Sequence, residues 1–472
     1  MRNTLRLIAL SLLATWAALH GAAAQDFSAE QATAKALIET AMSTDLGYEI
    51  IESLTTEVGP RLVGTLGDRR AVSWAEAKLK ALGFDKVWTE PVALQGWVRG
   101  AEQARIVAPY DQPLQITTLG GSVATKAGGI AAEVIQFESV DDLMVADAKD
   151  VAWKIVFLSQ RMTRTQDGSG YGVANRNRRL GAIEAGRKGA LAVLIRSIGT
   201  DSHRLPHTGQ MAAYEPTIPP IPAAALSNPD ADLLERVLSR GMPTAVSLNL
   251  QPRNLGGVTT YNVIGDMTGT QNPEQIVLIG AHLDSWDLGT GAVDDGAGIG
   301  IVTAAAKLIG NMKERPKRTV RVVMFGAEEV GLIGARAYMK AHEDTLDNHI
   351  VAAESDFGAR KIWAIASRVH DDKAPVFADL MRVLRPLGVN YRGNAAYGGP
   401  DVGMLAKKNV PLASLMQDGS DYFDLHHTAD DTFDKIDPAD IRQNVAAYAA
   451  FAYLMADVDV NWRAANTAAL NN

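Results

Sequence analysis

The stretch AHLDSWDLGTGAVDDGAG, residues 281–298, places one histidine and four aspartates in eighteen positions. Downstream come Glu328-Glu329, Glu354 with Asp356, and His426-His427 with Asp431. Carboxylates gathered with two histidines would repel one another and raise their own pKa values, a conflict that divalent cations resolve. Histidine, aspartate and glutamate without cysteine suit zinc at a catalytic centre, where one coordination position stays open for water. Five candidate ligands fit two ions sharing a bridging carboxylate better than one ion, and paired metals about 3.5–4 Å apart recur in hydrolases. A further carboxylate would then serve as general base, taking a proton from the attacking water.

The elements that must position these groups are visible as periodic runs. IVLIG (276–280), TVRVVMFG (319–326), HIVAAE (349–354) and VPLASLM (410–416) are continuous apolar stretches, as expected of strands buried on both faces. Helical spacing marks GIGIVTAAAKLIG, GLIGARAYMKAH and the segment Pro438 to Asp457, which puts Ile441, Val445, Tyr448, Phe451 and Met455 on one side. Alternating β and α units predict an α/β fold, a doubly wound and mostly parallel sheet with helices on both faces. Ligands of such sheets bind beyond the carboxyl ends of the strands. His282 and Asp284 follow the first strand there, and Asp294 opens the next helix. Glu328 and Glu329 follow the second strand, Glu354 and Asp356 end the third, and His426, His427 and Asp431 follow the fourth.

The N-terminal half has another character. Helices are expected from Ser28 to about Met42, from Leu46 to Val58, and after GPR, where Val72, Trp74, Ala75, Leu79 and Leu82 recur until Gly83. Residues 105–250 read as short strands, among them GGIAAEVIQF, WKIVFLSQ and LAVLIRS, with helices at RRLGAIEAGRKGA and from Asp230 to about Arg240. This is the pattern of a smaller α/β module inserted between residues 25–104 and 251–472, the latter carrying every candidate ligand.

Composition narrows the function classes. A net charge of −8 argues against a nucleic-acid partner or an anionic membrane surface. The absence of cysteine excludes disulfides, thiol nucleophiles and thiolate metal sites. Arg2 and Arg6 precede an apolar run, Leu7 to Leu13, and Ala22-Ala23-Ala24 follows. That order predicts a secretory signal at residues 1–24, cleaved after Ala24, and a secreted or periplasmic mature protein free of the membrane.

GAHLDSWDLGTGAVDDGAGIG, FGAEEVGLIGARAY, ESDFG and DLHHTADDTFD resemble the co-catalytic di-zinc exopeptidases, which include bacterial aminopeptidases and the carboxypeptidase Q branch. HLDSWDLGTGAVDDG, GPRLVGT, GAIEAGRKGALAVLIRS and PHTG are most similar to that branch. The resemblance implies the zinc exopeptidase fold with a protease-associated-like domain at 105–250, two Zn2+ per chain, short peptide substrates and a homodimer. It makes His282 a ligand of one zinc, oriented by Asp284, and Asp294 the bridging carboxylate. Glu328 becomes the general base, Glu329 its neighbouring ligand, and Asp356 the carboxylate beside His282. His427 becomes the histidine of the second zinc, because H-x-x-x-D spacing joins it, and not His426, to Asp431. The activity implied is a carboxypeptidase or dipeptidase, with a zinc aminopeptidase as the alternative. A single-zinc glutaminyl cyclase and a non-catalytic receptor-like module are the remaining readings.

Neighbouring residues carry plainer expectations. Asp295 reads as a helix-start group behind the ligands, Glu354 as paired with a cation or turned outward, and Asp287 as a loop residue with a local hydrogen bond. His203 and His207 read as surface residues, with contact to substrate from a lid as the alternative for His207. GTGAVDDGAG lacks the G-K-[ST] ending of a phosphate loop, and Ser420 lacks a nucleophile elbow. Tyr391, Tyr397 and Tyr422 all lie on rim loops where one could stabilise an oxyanion, and Arg392 could meet a substrate carboxylate.

Overall fold

A computed structural model describes residues 26–463, so the segment expected to be a secretory signal lies outside the described residues. The main sheet has eight strands, ordered Lys86–Val98, Arg253–Met267, Arg318–Phe325, Asn272–His282, His349–Glu354, Leu412–Gln417, Ile362–Arg368, Asn390–Tyr391. Its centre is parallel: Asn272–His282 runs with Arg318–Phe325 on one side and His349–Glu354 on the other, and Leu412–Gln417 extends the series. Toward the Lys86–Val98 edge the pairs are antiparallel. Val277, Leu278, Ile279, Val322 and Val323 are wholly buried, which explains why these strands are apolar without alternation. The register sets His282 opposite Phe325 and Gly280 opposite Glu354. Three strands therefore end together, and their following loops share one rim.

Helices cover both faces. Ala297–Gly310 is buried almost throughout and packs against Leu46–Glu57 and Pro438–Asp457. Close approach there requires Gly300, where a Cβ would overlap the Gly47 carbonyl and the Ile51 side chain. Pro438–Asp457 is buried on nearly every side, beyond the one apolar stripe expected, because alanines between the large residues let neighbours close in all round. Among the described residues no helix is long and apolar enough to cross a membrane.

A second eight-stranded sheet is drawn from Glu102 to Leu250, ordered Gln112–Leu114, Glu102–Ala108, Ala245–Leu250, Ile130–Phe137, Ile155–Leu158, Ala192–Arg196, Ala223–Leu226, Ile116–Thr118. The chain enters and leaves it through a long antiparallel ribbon, Lys86–Val98 against Arg253–Met267. Helix Ser169–Arg187 begins well before RRLGAIEAGRKGA. Its first turns, SGYGVANRN, are polar and glycine-rich, yet they bring Tyr171, and Arg178 just after them, toward the rim of the main sheet.

Candidate metal centre

Two imidazoles define the centre. His282 ends its strand and is 1% exposed. Its Nδ1 donates to the Asp284 main-chain carbonyl at 2.9 Å, so Nε2 is the nitrogen that faces outward. That nitrogen meets Asp294 Oδ1 at 3.1 Å and Asp356 Oδ1 at 3.6 Å. His427 repeats the arrangement from the opposite side. Its Nδ1 lies 3.1 Å from the Thr208 carbonyl, and its Nε2 meets Glu329 Oε2 at 3.0 Å and Asp294 Oδ2 at 3.3 Å. Arg178 NH1 comes within 3.5 Å of the same Nδ1, but it donates to the Thr208 carbonyl at 3.2 Å, and the shorter imidazole contact sets the tautomer.

Asp294 thus offers one oxygen to each histidine. Asp294 Oδ2 and Glu329 Oε1 are buried without a hydrogen-bond partner. Acceptors aimed at acceptors in a buried space cost free energy unless a cation lies between them. Three sets bring their donor atoms within 4.8 Å: His282, Asp294 and Glu329; His282, Asp295 and Asp356; Asp294, His426 and His427. The donor set, imidazole nitrogen with carboxylate oxygen, is one that zinc accepts.

A further ring of carboxylates holds the backbones of these residues. Asp295 accepts from the His282 amide at 3.0 Å with one oxygen and from the Gly298 amide at 3.0 Å with the other, which occupies it as a helix-start group. A side chain at Gly298 would overlap Asp295 and the Ser355 carbonyl. The Asp284 carboxylate accepts from the amides of Glu328 (3.0 Å) and Glu329 (3.3 Å), while one of its oxygens stays 3.8 Å from His282 Nδ1. Asp431 accepts from the amides of Val293 (2.6 Å) and Asp294 (3.2 Å). Fully buried Arg61 donates to the carbonyls of Leu283, Thr290 and Gly291 at 2.6–2.9 Å, stitching the loop between His282 and Asp294. The Asp294–Asp295 peptide is cis.

Burial and mutual repulsion perturb nearly every group. Burial, with Asp356, Asp284 and Asp294 adding, lifts Glu328 well above the ordinary range, and burial with Asp294 does the same to Glu329. Burial opposes charge on His282, yet Asp356 and Asp294 outweigh it and its pKa rises. Burial and the neighbouring His426 hold His427 well below its usual value. Asp294 is also buried, but the hydrogen bond from His282 and the charges of both histidines keep it low.

Several expectations are corrected. Glu354 neither turns outward nor meets a cation: it is buried and accepts from the Val402 amide at 3.0 Å, at the start of the turn Val402–Lys408. Asp287 forms an ion pair with Arg99 (2.7 Å), because the loop after His282 abuts the second sheet. His207 is not on the surface but 1% exposed, between Asp201 and the His426 carbonyl. His203, which is half-buried, reaches the Asp424 carbonyl at 2.9 Å.

Among the rim tyrosines, Tyr391 bonds Ser367 (2.8 Å), Tyr397 is largely exposed, and Tyr422 is buried against the His426 ring at 5.0 Å. Burial, with Asp294 and Asp356 adding, raises the Tyr422 hydroxyl well above its usual pKa. Ser420 is engaged by Asp418 at 2.5 Å, and the Arg392 guanidinium lies 4.9 Å over Trp363. His426 Nε2 stays 3.6 Å from Asp294, with its ring stacked 3.5 Å from His427. Sequence reasoning passed over Arg61, whose one signal was a cation inside the apolar GPRLVGT. It also gave no role to Thr208, although that residue lies in PHTG, or to Arg178, which opens RRLGAIEAGRKGA.

Residues 262–452 match the model of peptidase family M28. Carboxypeptidase Q of Bos taurus is 35% identical over 412 residues, covering 87% of this chain and 85% of the relative. That of Homo sapiens is 34% identical over 430 residues, covering 90% and 89%. The crystal structure of a peptidase M28 precursor from Shewanella amazonensis is 51% identical with a TM-score of 0.92, covering 93% of this chain and 99% of that one. An aminopeptidase from Aneurinibacillus, 21% identical with a TM-score of 0.63 over 91% of this chain and 97% of that one, shares the fold. With a metal-binding geometry at its strand ends and such relatives along most of its length, the chain belongs to peptidase family M28 and is a zinc-dependent metallo-exopeptidase.

Proposed function

We propose that this enzyme holds two zinc ions and removes residues from dipeptides or short peptides in the manner of a carboxypeptidase or dipeptidase. One ion would lie among His282, Asp294 and Asp356, the other among His427, Asp294 and Glu329. The observation that carries this reading is the pair of imidazole Nε2 atoms facing opposite oxygens of Asp294. His427 suits the second ion better than His426, since His427 alone of the two also comes within 3.0 Å of Glu329. Zinc, when bound, supplies Lewis acidity that polarises a peptide carbonyl and eases the ionisation of water.

The chain's own groups do the rest. Glu328, whose backbone is held beside that of Glu329, accepts a proton from the attacking water and returns it to the leaving amine. Asp284 fixes the Glu328 and Glu329 backbones, so base and ligand keep their separation. Asp295 and Asp431 do the same for His282 and Asp294. The second sheet, whose strands run from Glu102 to Leu250, supports reading residues 105–250 as an inserted domain between the two parts of the catalytic one, 25–104 and 251–472. Export rests on the residue 1–24 pattern, and a mature N-terminus at Gln25, read by sequencing, checks it.

Carboxypeptidase or dipeptidase specificity is supported by carboxypeptidase Q relatives at 33–35% identity, against 25% for leucine aminopeptidase 2 of Arthroderma otae. A panel of dipeptides blocked at the amino or the carboxyl end separates the readings: loss on carboxyl blocking supports ours, and loss only on amino blocking indicates an aminopeptidase. Glu328→Gln is expected to lower kcat by about 10²–10⁴-fold while zinc content is retained. Near-normal kcat in that variant contradicts the assigned role.

A further inference from the structure

We propose that the Asp201–His207 pair, acting with Thr208, positions His427, so that the module bearing the second sheet is a working part of the metal centre. His427 has φ +62°, a left-handed backbone that residues other than glycine rarely adopt. Two reciprocal bonds to Thr208 hold it there: the Thr208 amide donates to the His427 carbonyl at 3.0 Å, and His427 Nδ1 donates to the Thr208 carbonyl at 3.1 Å. The second bond also aims Nε2 at Glu329 and Asp294. A metal-binding imidazole is oriented by whatever its other nitrogen bonds, and here that partner comes from a loop of the module bearing the second sheet.

The preceding residue is held the same way. His207 Nδ1 donates to the His426 carbonyl at 2.6 Å, and His207 Nε2 reaches Asp201 Oδ2 at 2.5 Å. Asp201 is itself fixed by Asn228 at 3.1 Å, and the His207 amide donates to Ser197 at 2.8 Å. Segments 207–208 and 426–427 thus form a short double clamp. Space for it is reserved: a Cβ at Gly199 would overlap the His207 ring, and one at Gly209, whose φ is +138°, would overlap Arg178. With both ring nitrogens engaged and 1% exposure, His207 has no lone pair for a metal and no path to substrate. Its role is positioning.

This inference rests on the two-zinc reading, and the test separates the two. Zinc per chain and the affinity of each ion are measured for wild type, His207→Ala, His207→Asn and Asp201→Asn, with His427→Ala identifying the ion concerned. Wild type is expected to hold two ions. His207→Ala should keep one ion unchanged and bind the other, the one lost in His427→Ala, about 10–100-fold more weakly. The thermal midpoint of its metal-free form should stay near wild type, and excess zinc should restore kcat. His207→Asn keeps a donor for the His426 carbonyl and should recover most of the affinity. If His207→Ala fails to fold, Asp201→Asn, equal in volume, carries the test with the same selective weakening. A wild type holding fewer than two ions overturns the two-zinc reading and this inference with it. Two ions bound with unchanged affinity in the His207 and Asp201 variants, or both weakened equally, overturn the positioning role alone.

Discussion

The two halves of the metal centre are built by different means. On the His282 side the proposed ligand is oriented locally: it ends a buried strand, and the carbonyl that orients it belongs to Asp284, two residues on. The amide that anchors its backbone bonds Asp295, thirteen residues on. On the His427 side the proposed ligand sits in a loop after a short helix, and its orienting carbonyl is Thr208, 219 residues earlier in the chain. Pleated hydrogen bonding makes the first half rigid. Only contact between two sheets makes the second half rigid, so the latter should be the first to loosen.

The largest effect that would break this contrast is expected at Arg61. Replacing it by methionine takes the donor from the Leu283 and Thr290 carbonyls, leaves the Gly291 carbonyl only the Gly296 amide, and removes a buried charge from among Asp431, Asp284, Asp295 and Asp294. A loss of about 3–5 kcal/mol in denaturant unfolding is expected, with both ions released. A loss under about 1 kcal/mol would show that the first half does not depend on that stitch.

Next comes Arg99, which joins the halves. Its guanidinium pairs with Asp287 beside the His282 loop and donates to Thr208 Oγ1 at 3.1 Å. Arg99→Ala should cost about 2–5 kcal/mol, the range for truncating a hydrogen-bonded charge pair that is largely desolvated. Zinc titration should show the His427 ion weakened and the His282 ion spared. Equal weakening of both would erase the contrast.

A third effect is spread over pH. Burial, with acidic neighbours adding, places Asp284 at about 6, Asp431 at about 7 and Glu354 at about 8, against ordinary values of 3.8, 3.8 and 4.5. Each holds its proton more tightly folded than unfolded. Their contribution is therefore fully present below about pH 4 and lost as pH climbs through 6 to 8. The metal-free protein should accordingly melt at falling temperatures from pH 5 to 8. Zinc, which competes with protons for this centre, should raise the melting temperature more at pH 8 than at pH 5. A metal-free melting temperature that is flat across this range would contradict the account.

The same contrast governs what the sequence reveals. The parallel core is legible because strands buried on both faces must be apolar throughout, and because their ends carry polar groups that such strands cannot bury. His282, Glu328 and Asp356 stand out for that reason. The ribbon from Lys86 to Val98 is hidden: Pro91 and Gly96 interrupt it, and its half-exposed surface follows no alternation. The clamp on His427 is hidden more deeply, since a main-chain carbonyl bears no residue type and Thr208 lies far off in sequence. His207 looked superficial because a lone histidine in a polar loop gives no sign of the second sheet that closes over it. Asp284 shows a subtler limit. Its motif marks it as a partner of His282, yet its carboxylate bonds the Glu328 and Glu329 amides and its carbonyl bonds the imidazole.

The central claim, two ions sharing Asp294, is tested most directly by a crystal structure of the zinc-loaded protein with anomalous data collected on both sides of the zinc absorption edge. Two peaks flanking Asp294 are predicted, about 3.5–4 Å apart, one against His282 and Asp356 and the other against His427 and Glu329. A single peak at full zinc occupancy, or a second one bound by His426 with His427 turned away, would contradict it.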